Sequence, residues 1–96
     1  MTRLTYEQMR EIRRFISDCR YDEYGNVDYT NEFNKESYLV DGYYDLNIKF
    51  DKVWLTVTVT HNGIQNDMKM PNRYAESELV DTLYKLIDVM IFSFNA

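Results

Sequence analysis

Few side chains in this sequence have the chemistry to attack, ligate or transfer. Cys19 and His61 are each the sole residue of their type, and a Cys-His nucleophilic pair needs hydrogen-bond contact between them and a nearby oxyanion site. Nothing in the spacing ties the two together and no Gly-rich turn supplies that site, so Cys19 reads as an apolar filler on a helix face. One Cys and one His also leave no soft-metal ligand set, and a lone Cys allows no internal disulfide. Asp22-Glu23-Tyr24-Gly25-Asn26-Val27-Asp28 invites comparison with a calcium loop. Setting Gly25 at the loop's glycine, however, places Arg20 at the first ligand, Tyr24 at the third and Asn31 at the terminal bidentate one. Phosphate-loop, dinucleotide, zinc and serine-elbow patterns are absent, so no catalytic, metal or cofactor-binding residue is expected.

The pattern that remains is electrostatic. The net charge of −5 is unevenly spread: residues 1–20 carry +2, residues 21–51 carry −6 and residues 52–96 carry −1. In the acidic third, Tyr21, Tyr24, Tyr29, Phe33, Tyr38, Tyr43 and Tyr44 interleave with Asp22, Glu23, Asp28, Glu32, Glu36, Asp41 and Asp45. Tyrosine is enriched at interfaces because it offers area and a hydroxyl at low entropic cost. Carboxylates two residues apart on an extended chain stand about 6.6 Å apart, near the spacing of successive phosphates, so acidic rows beside rings can imitate nucleic acid to a basic cleft. The expected partner-binding set is therefore Tyr21, Asp22, Glu23, Tyr24, Asp28, Tyr29, Glu32, Glu36, Asp41 and Asp45. The acidic balance argues against direct nucleic-acid binding, which recruits clustered Lys and Arg.

The elements that must position these residues follow from capping and period. Ninety-six residues, 45% of them apolar and 15 aromatic, suffice for one domain spanning 1–96 with its own core. Thr5-Tyr6-Glu7-Gln8 is a capping box with Leu4 stapled onto Met9, and Met9, Ile12, Phe15, Ile16 and Cys19 mark one face of a helix from about Tyr6 to Arg20. No period survives from Tyr21 to Glu36, which reads as a loop.

Beyond Ser37 the period becomes two. Tyr44, Leu46, Ile48 and Phe50 share a face, Asp51-Lys52 is expected as a two-residue turn pairing Phe50 with Val53, and Val53, Leu55, Val57 and Val59 continue that face. Asn62-Gly63 predicts a type I′ hairpin pairing His61 with Ile64 and Leu55 with Met70. Asp41-Gly42 predicts either another tight turn, folding Ser37-Tyr38-Leu39-Val40 back as a short edge strand, or a bulge in one longer strand. Pro71 ends the sheet and Asn72 is the expected N-cap of a second helix, with Glu76, Glu78 and Asp81 near its positive end. Leu79, Val80, Leu83, Tyr84, Ile87, Met90, Ile91 and Phe94 form its core stripe.

The expectation is an α+β fold: N-terminal helix, three- to four-stranded antiparallel β-meander, C-terminal helix, both helices on one sheet face. Leu86, Val89 and Phe92 widen the second helix's stripe, and Trp54 stands among threonines on the polar face, so these four residues are the expected homodimer or second interface. No apolar run has signal-peptide or membrane-span character, which leads to an expected cytoplasmic location without membrane partners.

In size, acidity, Tyr and Asn content and element order, the chain resembles small phage-encoded inhibitors of the DNA-mimic type, the anti-restriction and anti-CRISPR proteins. The resemblance implies host-cell cytoplasm and a non-enzymatic inhibitor whose acidic, Tyr-rich surface occupies the nucleic-acid-binding site of a defence nuclease or DNA-binding regulator. The other expectation is a dimeric adaptor or chaperone-like protein-binding module. Helix, three strands, helix is also the order of double-stranded RNA-binding domains, but those need a basic second-helix start, where this sequence has Glu76, Glu78 and Asp81.

Overall fold

The computed structural model describes residues 2–20, 30–72 and 76–94. Its elements are α1 (Tyr6–Arg20), β1 (Glu32–Leu39), β2 (Tyr44–Phe50), β3 (Trp54–His61), β4 (Ile64–Pro71) and α2 (Glu76–Phe94), and the strands form one antiparallel meander in the order β1-β2-β3-β4. The class is α+β, as the period changes predict.

Helix α1 starts where the capping box places it. The Thr5 amide donates to Gln8 Oε1 at 3.0 Å, the Gln8 amide returns a bond to Thr5 Oγ1 at 3.1 Å, and Leu4 is buried beneath. The Gln8 side chain also donates to the Tyr38 carbonyl, tying the helix start to the end of β1. Helix α2 is fastened to α1 and to the segment before it: Tyr84 donates its hydroxyl proton to the Met9 carbonyl at 2.8 Å, and Asp88 accepts from the Arg3 amide at 2.9 Å. Between helices and sheet lies one core, in which Ile12 and Ile16 of α1 and Leu79, Leu83, Ile87, Met90 and Ile91 of α2 meet Leu46, Ile48, Leu55, Val57 and Val59. All of these are essentially without solvent contact. Phe15, expected in the same core, is only partly buried and tilts its ring against Phe33 and Phe50 at the rim.

The Asn62-Gly63 hairpin forms as predicted, with both residues at positive φ and His61 opposite Ile64. Four local expectations are corrected. First, β1 begins at Glu32, so residues 32–36 belong to a strand and not to the loop expected there. As an edge strand it buries little besides Phe33 and Leu39, and therefore shows no clean period. Second, the turn at Asp41-Gly42 and a strand irregularity occur together: Leu39 pairs with Tyr44 across residues 40–43, and two extra β1 residues are absorbed between Lys35 and Leu39, where Ser37 takes φ 49°.

Third, the β2–β3 register is displaced by two residues from the expected one, with Phe50 opposite Leu55 and Ile48 opposite Val57. Asp51 is responsible. Its carboxylate accepts from the amides of Val53 (2.8 Å) and Trp54 (2.7 Å), while its own amide donates to the Trp54 carbonyl, which places the bend at Lys52 and Val53. A two-residue slip keeps every side chain on its face, so the core is unchanged but Val53 is left exposed. Fourth, Asn72 does not cap α2, which begins at Glu76. Its amide donates to the Val53 carbonyl and its side chain to the Asp51 carbonyl, bracing the displaced turn.

Candidate interaction surface

Both helices pack on one side of the sheet, and among the described residues nothing covers the opposite side, an open polar face. Its side chains fall into rows set by the strand register. One row runs Glu32, Lys49, Thr56, Lys69; the next runs Asn34, Asn47, Thr58, Asp67; a third contains Asp45, Thr60 and Gln65. Glu36 joins Asp45 at the β1 end, and together with Glu32, Asn34 and Asn47 these residues line a shallow depression.

Four carboxylates therefore share this face: Glu32, Glu36, Asp45 and Asp67. Neutral donors hold three of them. Asp45 accepts from the Ser37 amide at 2.7 Å, which fixes the irregular stretch of β1. Asn47 donates to Glu32, and Thr58 donates its hydroxyl proton to Asp67 at 2.7 Å with the Gln65 amide beside it. A carboxylate held by a neutral donor keeps its charge while losing rotamer freedom, which is the state that meets a cationic partner at low entropic cost.

The predicted interface residues are distributed as follows. Glu32, Glu36 and Asp45 lie on the open face, whereas Asp41 is exposed at the β1–β2 turn. Tyr21, Asp22, Glu23, Tyr24, Asp28 and Tyr29 lie outside the described residues. The interleaving of rings with acids does not persist into the sheet. Tyr44 is buried against His61 and Phe94, and Tyr38 is half-buried with its hydroxyl donated to Glu11 at 2.7 Å. Burial and the neighbouring Glu11 carboxylate push the Tyr38 phenol well above its ordinary value. Among the described rings of this group, Tyr43 is left on the surface, 68% exposed at the turn. Asp67 extends the acidic face beyond the expected stretch. The signal for it was the Asn62-Gly63 register, which puts Asp67 opposite Thr58 on the polar side.

Of the expected second interface, Trp54 is 39% exposed at the far end of the open face, opposite Pro71. Val89 and Phe92 are exposed on α2, whereas Leu86 is partly buried against the core. Cys19 is fully buried on α1, and His61 sits at the β3–β4 hairpin with Nδ1 directed to the Tyr43 carbonyl at 2.8 Å. Among the described residues no group of three or more His, Cys, Asp or Glu side chains is placed to hold a metal ion, and no helix is long and apolar enough to cross a membrane. No family model, curated protein or solved structure matches this chain.

Proposed function

We propose that this chain is a non-enzymatic inhibitor or interaction protein whose acidic surface occupies the basic nucleic-acid-binding site of a protein partner, such as a defence nuclease or a DNA-binding regulator. The observation that carries this reading is the open sheet face itself, which Glu32 and Glu36 of β1, Asp45 of β2 and Asp67 of β4 share. Glu32 and Glu36 lie four residues apart on β1, Glu36 at the start of its irregular stretch. Arg and Lys side chains that clamp a phosphate oxygen can clamp a carboxylate with the same charge-assisted hydrogen bonds. Competition for the site is the mechanism, and no bond is made or broken.

The test is comparative capture. The immobilised native chain is expected to retain nucleic-acid-binding proteins from a host lysate, and to release them to free duplex DNA and to salt raised from about 50 to about 500 mM. A Glu32→Lys/Glu36→Lys variant is expected to retain none of them while staying folded, because exposed charges contribute little to stability. Reversal of Glu76 and Glu78, which complement the α2 dipole, is expected to lower stability and spare capture. Capture that survives reversal at Glu32 and Glu36, or that ignores salt and DNA, contradicts the proposal.

A further inference from the structure

The two edges of the sheet are built differently. β1 is interrupted between Lys35 and Leu39, and Ser37 takes a positive φ there, which disrupts an edge that another strand would otherwise extend. β4 has no such protection: all eight of its residues pair with β3 in unbroken register, from Ile64 opposite His61 to Pro71 opposite Trp54. In a two-residue hairpin the flanking pair exchanges hydrogen bonds, so Ile64, Asn66, Met68 and Met70 direct their amides and carbonyls at β3. Gln65, Asp67 and Lys69 direct theirs away from it. Pro71, which has no N–H, falls in this outward set, where it removes no bond to β3.

Beside this edge lies an apolar strip on the helix side of the sheet. Ile64 and Met68 of β4 are 61% and 41% exposed, and Val89 of α2 is 58% exposed. Helix α2 runs back along β4, with Glu78 and Thr82 near Met70 at one end and Ser93 accepting from Asn66 at the other. Met68 therefore lies opposite the middle of the helix, where Leu86 and Val89 face the edge.

We propose that the occupant of this edge is a second copy of the same chain, with the two β4 strands paired antiparallel about a twofold axis at Met68. The charge pattern selects this register. A continuous sheet requires paired residues to share a face, so the axis must pass through a residue. At Asp67 it sets Asp67 against its own copy, and at Lys69 it does the same to Lys69. At Asn66 neither charge meets its opposite. At Met68 alone, Asp67 faces the partner's Lys69 and Lys69 the partner's Asp67, and both pairs are made by residues with outward-pointing amides and carbonyls. The same axis gathers both copies of Met68, Leu86 and Val89. Helices seated over the two β3 strands are then three strand spacings apart, about 14 Å. That is some 4–6 Å more than directly packed helices need, a gap that the methionine and valine side chains can fill.

The inference does not rest on the proposed function, whose test turns on Glu32 and Glu36, and is itself tested by charge exchange at Asp67 and Lys69. In light scattering at micromolar concentration the native chain is expected at twice its 11.6 kDa protomer mass. Asp67→Lys places Lys against Lys69 of the copy, and Lys69→Asp places Asp against Asp67. Each variant alone is expected to weaken the dimer about tenfold or more, whereas an equimolar mixture restores it, because every cross-strand pair is then opposite in sign. Both side chains lie on the open face, so far-UV circular dichroism should be native in each variant. Hydrogen exchange on the native chain gives a readout without substitution: the amides of Gln65, Asp67 and Lys69 are expected to be protected together with those of Asn66, Met68 and Met70. A native chain of protomer mass, a dimer indifferent to both substitutions, a mixture no tighter than its parts, or fast exchange at residues 65, 67 and 69 would each overturn the proposal.

Discussion

Asp51 holds a carboxylate whose proton affinity is lowered below its ordinary value, chiefly by the hydrogen bonds from the Trp54 and Val53 amides. Those same bonds move the turn on by one residue and the pairing by two. An acid whose folded-state pKa is lowered binds fewer protons folded than unfolded. Its stabilisation is therefore complete above the unfolded value near 3.8 and is lost as pH falls through the folded one. Asp51→Ala is expected to lower the thermal midpoint at pH 7, and Asp51→Asn, which keeps an acceptor oxygen without the charge, to lower it less. The gap between native chain and Asn variant should close as the pH is taken below that window. Thermal denaturation from pH 7 down to about pH 2.5 measures it, and a gap that widens with acidity contradicts this account of the turn. In the sequence, Asp51-Lys52 looked like the turn because two residues separate the apolar runs. A side chain that accepts two backbone amides is a local choice to which hydrophobic alternation is blind.

At the scale of elements, packing overrides local signals only at edges. Leu55 and Ile87 belong to the central strand pair and the middle of α2, and each is wholly enclosed. Leu55→Ala or Ile87→Ala is expected to cost about 2–5 kcal/mol, a large share of the stability of a small domain. Chemical denaturation of both variants checks it, and losses under about 0.5 kcal/mol at both positions would mean that these side chains are not enclosed in the core. Helix α1, the Asn62-Gly63 hairpin and the α2 core stripe were legible because capping chemistry, positive-φ turn residues and a 3.6-residue period each specify one outcome. β1 was not, because only Phe33 and Leu39 of its eight residues are buried and the strand is defined by its neighbour more than by itself. Asn72 illustrates the same limit from the other side: a good cap in isolation, it is drawn instead to the β2–β3 turn.

Across the whole molecule, the exposed arginines of α1 lie apart from the carboxylates of the sheet face. Arg10, Arg13 and Arg14 are exposed on α1, away from the open sheet face, where Glu32, Glu36, Asp45 and Asp67 stand together with Lys49 and Lys69. The location of the acidic surface was legible in part. Strand alternation placed Asp45 and Asp67 on the polar side, but the edge strand hid the fact that Glu32 and Glu36 join them. Alternation placed Tyr44 on the inward face, where it is buried, but gave no warning that Tyr38 turns inward. The functional reading accordingly rests on carboxylates more than on rings, and it treats the sheet face as a surrogate for a run of phosphates. The direct measurement is a competition titration. A fluorescently labelled DNA duplex is bound to a nucleic-acid-binding protein captured by the native chain, and the native chain is added while anisotropy is followed. The account predicts complete displacement, with an apparent midpoint that rises with the duplex concentration, whereas the Glu32→Lys/Glu36→Lys variant displaces nothing. A ternary complex with the duplex still bound, or equal displacement by the reversed variant, would contradict it.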